Sequence, residues 1–377
     1  MRSLAVSFSD VLLNLLPHDS VERFEVDGVP LVCGILLEPP PDFDDKAQEN
    51  RLNVLVKKQA FSCNCRDKGL MFAGLKLKSR YRHAYVVVGS EFAGEVVAAG
   101  ADVTKFKVGD RVMGDNHYTG AGDVAEGYKI GVPAASASKE YQIFHQAKLS
   151  RLPAEMPCEV AAAFSVDAQT AYGAVRKLNI SSGANVLVMD ARSNTSLFAI
   201  NALKKHGINV YATAAPGGDN PRLRAMGVKE VFVIDRASGP ASQEELRRCA
   251  RAIGGFNGVI DPSFDLHLGF VISLLAIEGR YVTFGSHDQY AEVTGQELTR
   301  DLPDVRRVLW EAMLKNVHII GTCLGLTADL QRAIEDYGTG DLEVVIDSVY
   351  AGQQPADFLR RSFNAPDRFG KVVYRYS

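Results

Sequence analysis

From about residue 156 onward the chain alternates two kinds of hydrophobic pattern. Short, nearly continuous apolar runs read as buried strands at Asn185–Met189, Asn209–Thr213, Glu230–Ile234, Gly258–Asp261 and Tyr281–Phe284. Longer segments between and after them repeat apolar positions at helical spacing, at Thr195–His206, Pro221–Met226, Ser242–Ile253, Leu266–Ala276 and Val305–Lys315. Gly207 and Gly227 stand just past two of these helices, where a left-handed residue closes the last turn. Ser242-x-x-Glu245 has the form of a capping box. Such alternation predicts a parallel, doubly wound α/β sheet. From about 50 to 155 the pattern differs. Short β-rich runs at Asn53–Lys58, Tyr85–Val88, Ala93–Ala99, Arg111–Met113 and Lys139–Phe144 are punctuated by glycine, with Gly109–Asp110 in a turn, and predict an irregular, barrel-like β domain. The first 50 residues carry the weakest pattern; Pro39-Pro40-Pro41 and Asp42–Asp45 read as a loop or linker. The tail, 317–377, is mixed and ends in a strand at Lys371–Tyr374.

Composition adds limits rather than detail. The 377 residues are 46% hydrophobic and 23% charged, enough chain and apolar content for two cored domains. A net charge of −3 gives no basic field for nucleic acid and no Lys/Arg run for a membrane surface. The apolar patch Val11–Leu16 is interrupted by Asn14, lacks a basic leader and is too short to span a bilayer. Of six cysteines only Cys63 and Cys65 are close in sequence, a poor zinc spacing, and scattered thiols fit a reducing, cytoplasmic setting.

One feature of the α/β half is unusual. Strand Asn185–Met189, the following helix and strand Asn209–Thr213 are laid out like the start of a dinucleotide-binding unit, yet the turn Asp190–Ser196 contains no glycine. Glycine normally lets the backbone of that turn approach a pyrophosphate. Two readings stay open: a modified turn in which Arg192, Ser193, Asn194 and Thr195 hold the phosphates, or nucleotide binding that has been altered or lost.

Seven segments, in order, carry a family resemblance. Asn64-Cys65-Arg66-Asp67-Lys68-Gly69-Leu70, the glycine-punctuated stretch from Gly89 to Met113, Gln169-Thr170-Ala171-Tyr172-Gly173, Val259-Ile260-Asp261-Pro262, Gly279 to Ser286, Ile320-Gly321-Thr322 and Phe369-Gly370-Lys371-Val372-Val373 together resemble the medium-chain dehydrogenase/reductase superfamily, in its zinc-independent branch of quinone oxidoreductases and enoyl reductases. The resemblance implies a GroES-like catalytic domain split between 1–157 and 318–377, a Rossmann domain over 158–317, an active site in the cleft between them, and a homodimer.

It also assigns places. Those of the family's zinc ligands fall on Asn64, Ser90 and Val166, and the region of its four-cysteine lobe, near 115–135, has no cysteine; no metal is expected. Zinc-free relatives mostly transfer hydride to an activated C=C bond, with polar groups holding the developing enolate and a proton donor completing the reduction. Relatives often carry tyrosine at the place of Cys65. Without it the candidates for substrate contact and proton donation are Asn64, Cys65, His117, Tyr118 and Tyr141, while Asp67 and Glu91 are expected to brace loops. The cofactor is expected to be NADP. No carboxylate stands at the end of the second strand to demand a free ribose 2′-hydroxyl, and Arg222 or Arg224 is placed to meet a 2′-phosphate. Thr170 at a helix start, Thr213, and Gly285 with Ser286 are assigned to the cofactor alongside the turn residues, and Lys371 either reaches phosphate or lies on the surface. The loop Asp115–Ser138 resembles the enoyl-thioester reductases and points to an acyl-thioester substrate. The expected function is zinc-independent, NADPH-dependent reduction of an activated C=C bond. The alternatives are a member that has lost hydride transfer and works as a cyclase, lyase or binding protein, and a quinone or aldehyde reductase.

Overall fold

The computed structural model describes residues 1–8, 18–78, 85–117, 135–217, 220–235, 241–287 and 303–376. Val11–Leu16 and Tyr118 lie outside them. The chain forms two units, one from Met1–Val166 and Ile346–Ser377, the other from Asp167–Gln289 and Glu297–Val345.

The first unit holds two sheets. Strands β1 (Arg2–Ser7), β2 (His18–Val26), β3 (Val29–Leu37), β4 (Asn53–Ser62), helix α1 (Cys65–Lys78), β5 (Val86–Val87), β6 (Glu91–Ala99), β7 (Arg111–Gly114), β8 (Tyr141–His145), β9 (Leu149–Arg151) and the short helix α2 (Cys158–Ala161) follow in order. β1, β2, β3 and β5 make a four-stranded sheet that the weak pattern of the first 50 residues hid. The reason is visible in β3, whose central positions are buried in an unbroken run, so no alternation marks it. Helix α1 was also illegible, because glycines at 69 and 74 interrupt it and its apolar residues gather on no face. Gly74 is required there: a Cβ would stand 2.7 Å from Val86 Cγ1.

The second unit begins within α3 (Ser165–Leu178) and continues through β10 (Asn185–Val188), α4 (Asn194–Lys205), β11 (Asn209–Ala214), α5 (Asn220–Ala225), β12 (Glu230–Val233), α6 (Glu244–Ala252), β13 (Phe256–Asp261), α7 (Phe264–Val271), β14 (Leu275–Thr283), α8 (Val305–Lys315), β15 (His318–Gly321) and α9 (Thr327–Thr339). Its six strands are all parallel, in the order β12-β11-β10-β13-β14-β15. Numbered from β10 this is 3-2-1-4-5-6, the order of dinucleotide-binding sheets, with its switch point between β10 and β13. Gly207 and Gly227 have the expected left-handed φ of 67° and 92°. The capping box does not form: α6 starts at Glu244 behind Gln243, and Ser242 Oγ donates instead to Asp235 O.

The tail returns to the first unit as β16 (Ile346–Ala351), α10 (Pro355–Asn364) and β17 (Lys371–Arg375), with β17 antiparallel to β4 at Val373↔Ser62. The units divide at 166 and 345, not at the expected 157 and 317. β15 pairs with β14, and α9 is tied to α3 by the Arg176–Asp329 ion pair and the Tyr172–Asp336 hydrogen bond, so 318–345 stays with the parallel sheet.

The β unit has an aromatic core in which Phe61 lies 5.4 Å from Phe358, 5.2 Å from Tyr374 and 5.5 Å from Tyr376. A lysine is buried in this unit as well. Lys58 is 1% exposed; its ammonium donates to Gln142 Oε1 (2.5 Å) and lies 4.8 Å from the Phe92 ring, which stacks on Phe144. Desolvation holds the Lys58 pKa well below its ordinary range. Between that lowered pKa and the ordinary one the unfolded chain binds more protons, so wild-type stability rises with pH there. Lys58→Met should therefore raise stability at pH 7 by about 1 kcal/mol or more, with the advantage shrinking toward pH 10. Urea denaturation across that pH range measures it.

Candidate active site

The residues assigned to zinc in the resemblance come together in the β unit, in a different chemistry. Asn64 follows the end of β4, Ser90 precedes β6, and Glu91 opens it. Asn64 Nδ2 donates to Ser90 Oγ (2.9 Å) and to Glu91 Oε2 (3.1 Å), while its Oδ1 accepts from Lys371 Nζ (2.5 Å). Lys371 Nζ also pairs with Glu91 Oε2 at 2.5 Å. Glu91 accepts further from Ser62 Oγ, and its other oxygen takes the backbone N–H of Val166 at 2.7 Å. Asp67 accepts from Asn64 N and Ser90 Oγ, and burial pushes its carboxyl above the usual range.

This set consists of an amide, a hydroxyl, two carboxylates and an ammonium. At the three assigned positions an amide, a hydroxyl and an isopropyl group do not make a zinc donor set, which needs thiolate, imidazole or carboxylate. Among the described residues no group of three or more His, Cys, Asp or Glu side chains is arranged to hold a metal ion. Both Asn64 amide hydrogens are used, so toward a ligand this side chain offers only an acceptor lone pair. Lys371 neither lies on the surface nor points at a phosphate site: it is 2% exposed and committed to Glu91 and Asn64. The sequence hid this because Lys371 and Glu91 meet only when β17 is laid against β4.

His117 has a partner that the sequence reading passed over. Its Nδ1 lies 2.8 Å from Asp115 Oδ1, and Asp115 is 2% exposed. A buried carboxylate on Nδ1–H fixes the tautomer and leaves Nε2 for proton exchange. Lys148 Nζ holds the His117 carbonyl at 2.5 Å, anchoring the backbone of the dyad. The spacing Asp115-x-His117 was the available signal. Tyr141 lies on β8, with Lys57 Nζ 5.8 Å from its ring centroid. Cys65 is exposed at the first position of α1, whereas Cys63 packs in the core, where burial pushes its thiol well above the usual range.

In the second unit the glycine-free turn is well defined. Asp190 takes φ +47°, a left-handed geometry that usually selects glycine or asparagine, and its N–H donates to Thr213 Oγ1. Ser193 caps α4, its Oγ accepting from Ser196 N at 3.2 Å. Asn194 Nδ2 and Thr195 Oγ1 both donate to the buried carboxylate of Asp167. Asn194, Thr195 and Thr213 therefore use their side chains to build the turn. Arg192 differs: its Nη1 is buried with no hydrogen-bond partner. A buried guanidinium nitrogen left open beside a helix N-terminus fits an anionic ligand such as a pyrophosphate. Arg222 and Arg224 are exposed on α5, just past β11. Thr170 is buried and lies inside α3, which starts at Ser165, so it is not at a helix start. Gly285 is constrained to glycine, since a Cβ would meet Pro262 O at 2.5 Å; Ser286 beside it is half-buried.

Comparisons with known proteins fit this architecture. The alcohol dehydrogenase GroES-like domain family matches residues 50–154. A zinc-type alcohol dehydrogenase-like protein of Schizosaccharomyces pombe is 24% identical over 350 residues, covering 89% of this chain and 94% of that protein. The phenolphthiocerol synthesis polyketide synthase of Mycobacterium bovis is 26% identical over 302 residues, 80% of this chain, and the chain spans only 13% of that synthase. An NAD-dependent alcohol dehydrogenase superposes with TM-score 0.74 at 21% identity over the whole of both chains. The CurK enoyl reductase superposes at 0.67 with 18% identity over 91% of this chain and 95% of the other, and mycobacterial Rv1454c, solved with NADPH, at 0.69 with 18% identity over all of both. Residues 50–154 match the GroES-like domain family of alcohol dehydrogenases, and the whole chain shares its fold with alcohol dehydrogenases and an enoyl reductase.

The buried pair carries a direct test. Lys371→Met leaves Glu91 charged in a dry site and should cost about 3–5 kcal/mol. Adding Glu91→Gln should recover much of that loss, and a double-mutant cycle in urea reads the coupling.

Proposed function

We propose that this protein is a zinc-independent, NADPH-dependent oxidoreductase that reduces an activated C=C bond, of enoyl or acyl-thioester type. The observation that supports the reading is the closed network that Glu91 and Lys371 form with Asn64 and Ser90, two of the three positions that the resemblance assigns to zinc ligands. Metal-assisted alcohol oxidation needs a Lewis acid that these side chains do not bind, whereas hydride transfer to an activated C=C bond needs none. The polyketide synthases, the CurK enoyl reductase and the NADPH complex of Rv1454c support the substrate class and the cofactor.

NADPH, when bound, supplies the hydride. The chain's own residues do the rest. Arg192 and the α4 N-terminus would hold the pyrophosphate, Arg222 or Arg224 would hold the 2′-phosphate, and Gly285 with Ser286 would hold the nicotinamide end. His117, oriented by Asp115, gives the α-proton. Asn64 accepts a hydrogen bond from a ligand hydroxyl, its orientation held by Ser90, Glu91 and Lys371. We further propose a homodimer formed through the open edge of β15 and the apolar face of α8, where Leu309, Trp310, Met313 and Leu314 are exposed. No described helix is long and apolar enough to cross a membrane. All six cysteines are unpaired, which supports a cytoplasmic setting.

The second reading, a member that no longer transfers hydride, is favoured by one observation: a carboxylate, Asp190, occupies the turn where phosphate would approach.

The test is substrate-dependent NADPH oxidation with a panel of enoyl thioesters and quinones, with and without chelator. Activity should survive chelation, and His117→Gln should lower kcat by about 10²-fold or more with little change in NADPH affinity. Failure to bind NADPH, measured by calorimetry, would sink the proposal in favour of the second reading.

A further inference from the structure

The parallel sheet has a second concave end. At the amino ends of β13 and β14 an open cavity of about 300 Å³ lies between α6, the turn Gly254–Gly255, the single 3₁₀ turn Ile272–Leu274 and the end of α8. Because β13 runs parallel to β10, its length, about 20 Å of strand, separates this cavity from the turn after β10. Three cations line it: Arg247 and Arg251 from α6, and Lys315 from the last turn of α8. Leu274, Ala276 and Ile277 give it an apolar wall. Among the described residues that line it there is no carboxylate.

These donors are only partly used. Arg247 Nη2 donates to Gln243 Oε1 at 2.9 Å, and Arg251 Nη2 to Glu244 Oε1 at 2.8 Å. A guanidinium has further N–H groups beyond one such bond, so both forks keep donating capacity. Lys315 Nζ donates to Ser273 O (2.7 Å) and Leu275 O (2.9 Å), which fixes the ammonium at the cavity and leaves its third hydrogen. Arg247 and Arg251 stand one helical turn apart, a spacing at which like charges destabilise a helix. Glu244 offsets Arg251 in a pair whose side chains are 66% and 65% exposed, where solvent screens the attraction. Capping the carbonyls of Ser273 and Leu275 needs Lys315 alone. It does not account for two arginines on the same cavity.

An anion accounts for all three. A phosphate monoester suits the set better than a carboxylate, since it brings about two negative charges near pH 7 and three acceptor oxygens, enough for two guanidinium forks and an ammonium. The apolar wall suits the organic part of such an ester. We propose that this cavity binds a small organic phosphate, with the phosphoryl group held by Arg247, Arg251 and Lys315 and the apolar portion against Leu274 and Ile277. A ligand there ties α6 to the end of α8 and stabilises the folded chain by mass action. The site shares no residue with the turn after β10 and does not depend on the nucleotide-binding reading above.

Calorimetric titration of the full chain with phenyl phosphate at low salt tests it, with benzoate and phenol as the carboxylate and the uncharged comparison. Wild type should bind phenyl phosphate with a Kd of about 1 mM or below, benzoate about tenfold more weakly and phenol not at all. Arg247→Gln and Arg251→Gln, neither in a buried position, should each weaken phenyl phosphate about tenfold and leave NADPH affinity unchanged. Arg192→Gln, at the other end of the sheet, should bind phenyl phosphate as wild type does. Absence of phenyl phosphate binding to wild type, or binding that survives in the Arg247→Gln/Arg251→Gln double variant, overturns the inference. Loss of binding in Arg192→Gln also overturns it and moves the phosphate to the turn after β10. Benzoate binding as tightly as phenyl phosphate overturns the ligand class.

Discussion

The β unit is organised around one buried ion pair. Lys371 and Glu91 sit 2.5 Å apart, both nearly without solvent contact. A pair in such a place is stable only if its remaining hydrogen-bonding capacity is filled. Ser62, Asn64 and the Val166 N–H do so, and Ser90 and Asp67 complete the next layer. Because Lys371 opens β17, satisfying Glu91 requires the chain's tail to lie beside β4. The same contact that orients Asn64 thus also closes the sheet, and fold and site cannot be altered separately here.

The second unit solves a different problem. Its sheet order delivers the ends of β10 and β13 to one crevice, where a ligand is expected on general grounds. The turn after β10 achieves with side chains what glycine usually achieves by having none. Thr213 pins the Asp190 N–H, Ser193 caps α4, and Asp167 draws in Asn194 and Thr195. In the turn, Arg192 Nη1 is buried without a hydrogen-bond partner, and the Asp190 carboxylate, about one-third exposed, brings the opposite charge.

Much of this was legible in the chain itself. Periodicity located every strand of the parallel sheet except β15, and α8 matched its expected limits, but β14 begins at Leu275, six residues before its expected start and within the segment read as the helix Leu266–Ala276, which ends at Val271. Gly207, Gly227 and Gly109 marked turns because only positive φ, 67°, 92° and 90°, suits those places. Two elements were illegible for different reasons: β3 is buried along its centre and lacks alternation, and α1 lacks an apolar stripe. The candidate residues divide in a similar way. Asn64, Ser90 and Glu91 were singled out by motif position, whereas the contacts of Asp115 and Asp167 appear only in the fold.

The sequence alone therefore determined the α/β class and most of the parallel half of the fold, because strand and helix periods and short glycine turns are local properties of the chain. Tertiary structure alone decided what Lys371 is for, where the two units divide, and how a turn with a carboxylate in place of glycine is held. Each depends on side chains far apart in sequence meeting in a dry interior, where a single unpaired charge costs more than a segment's local preference can offset.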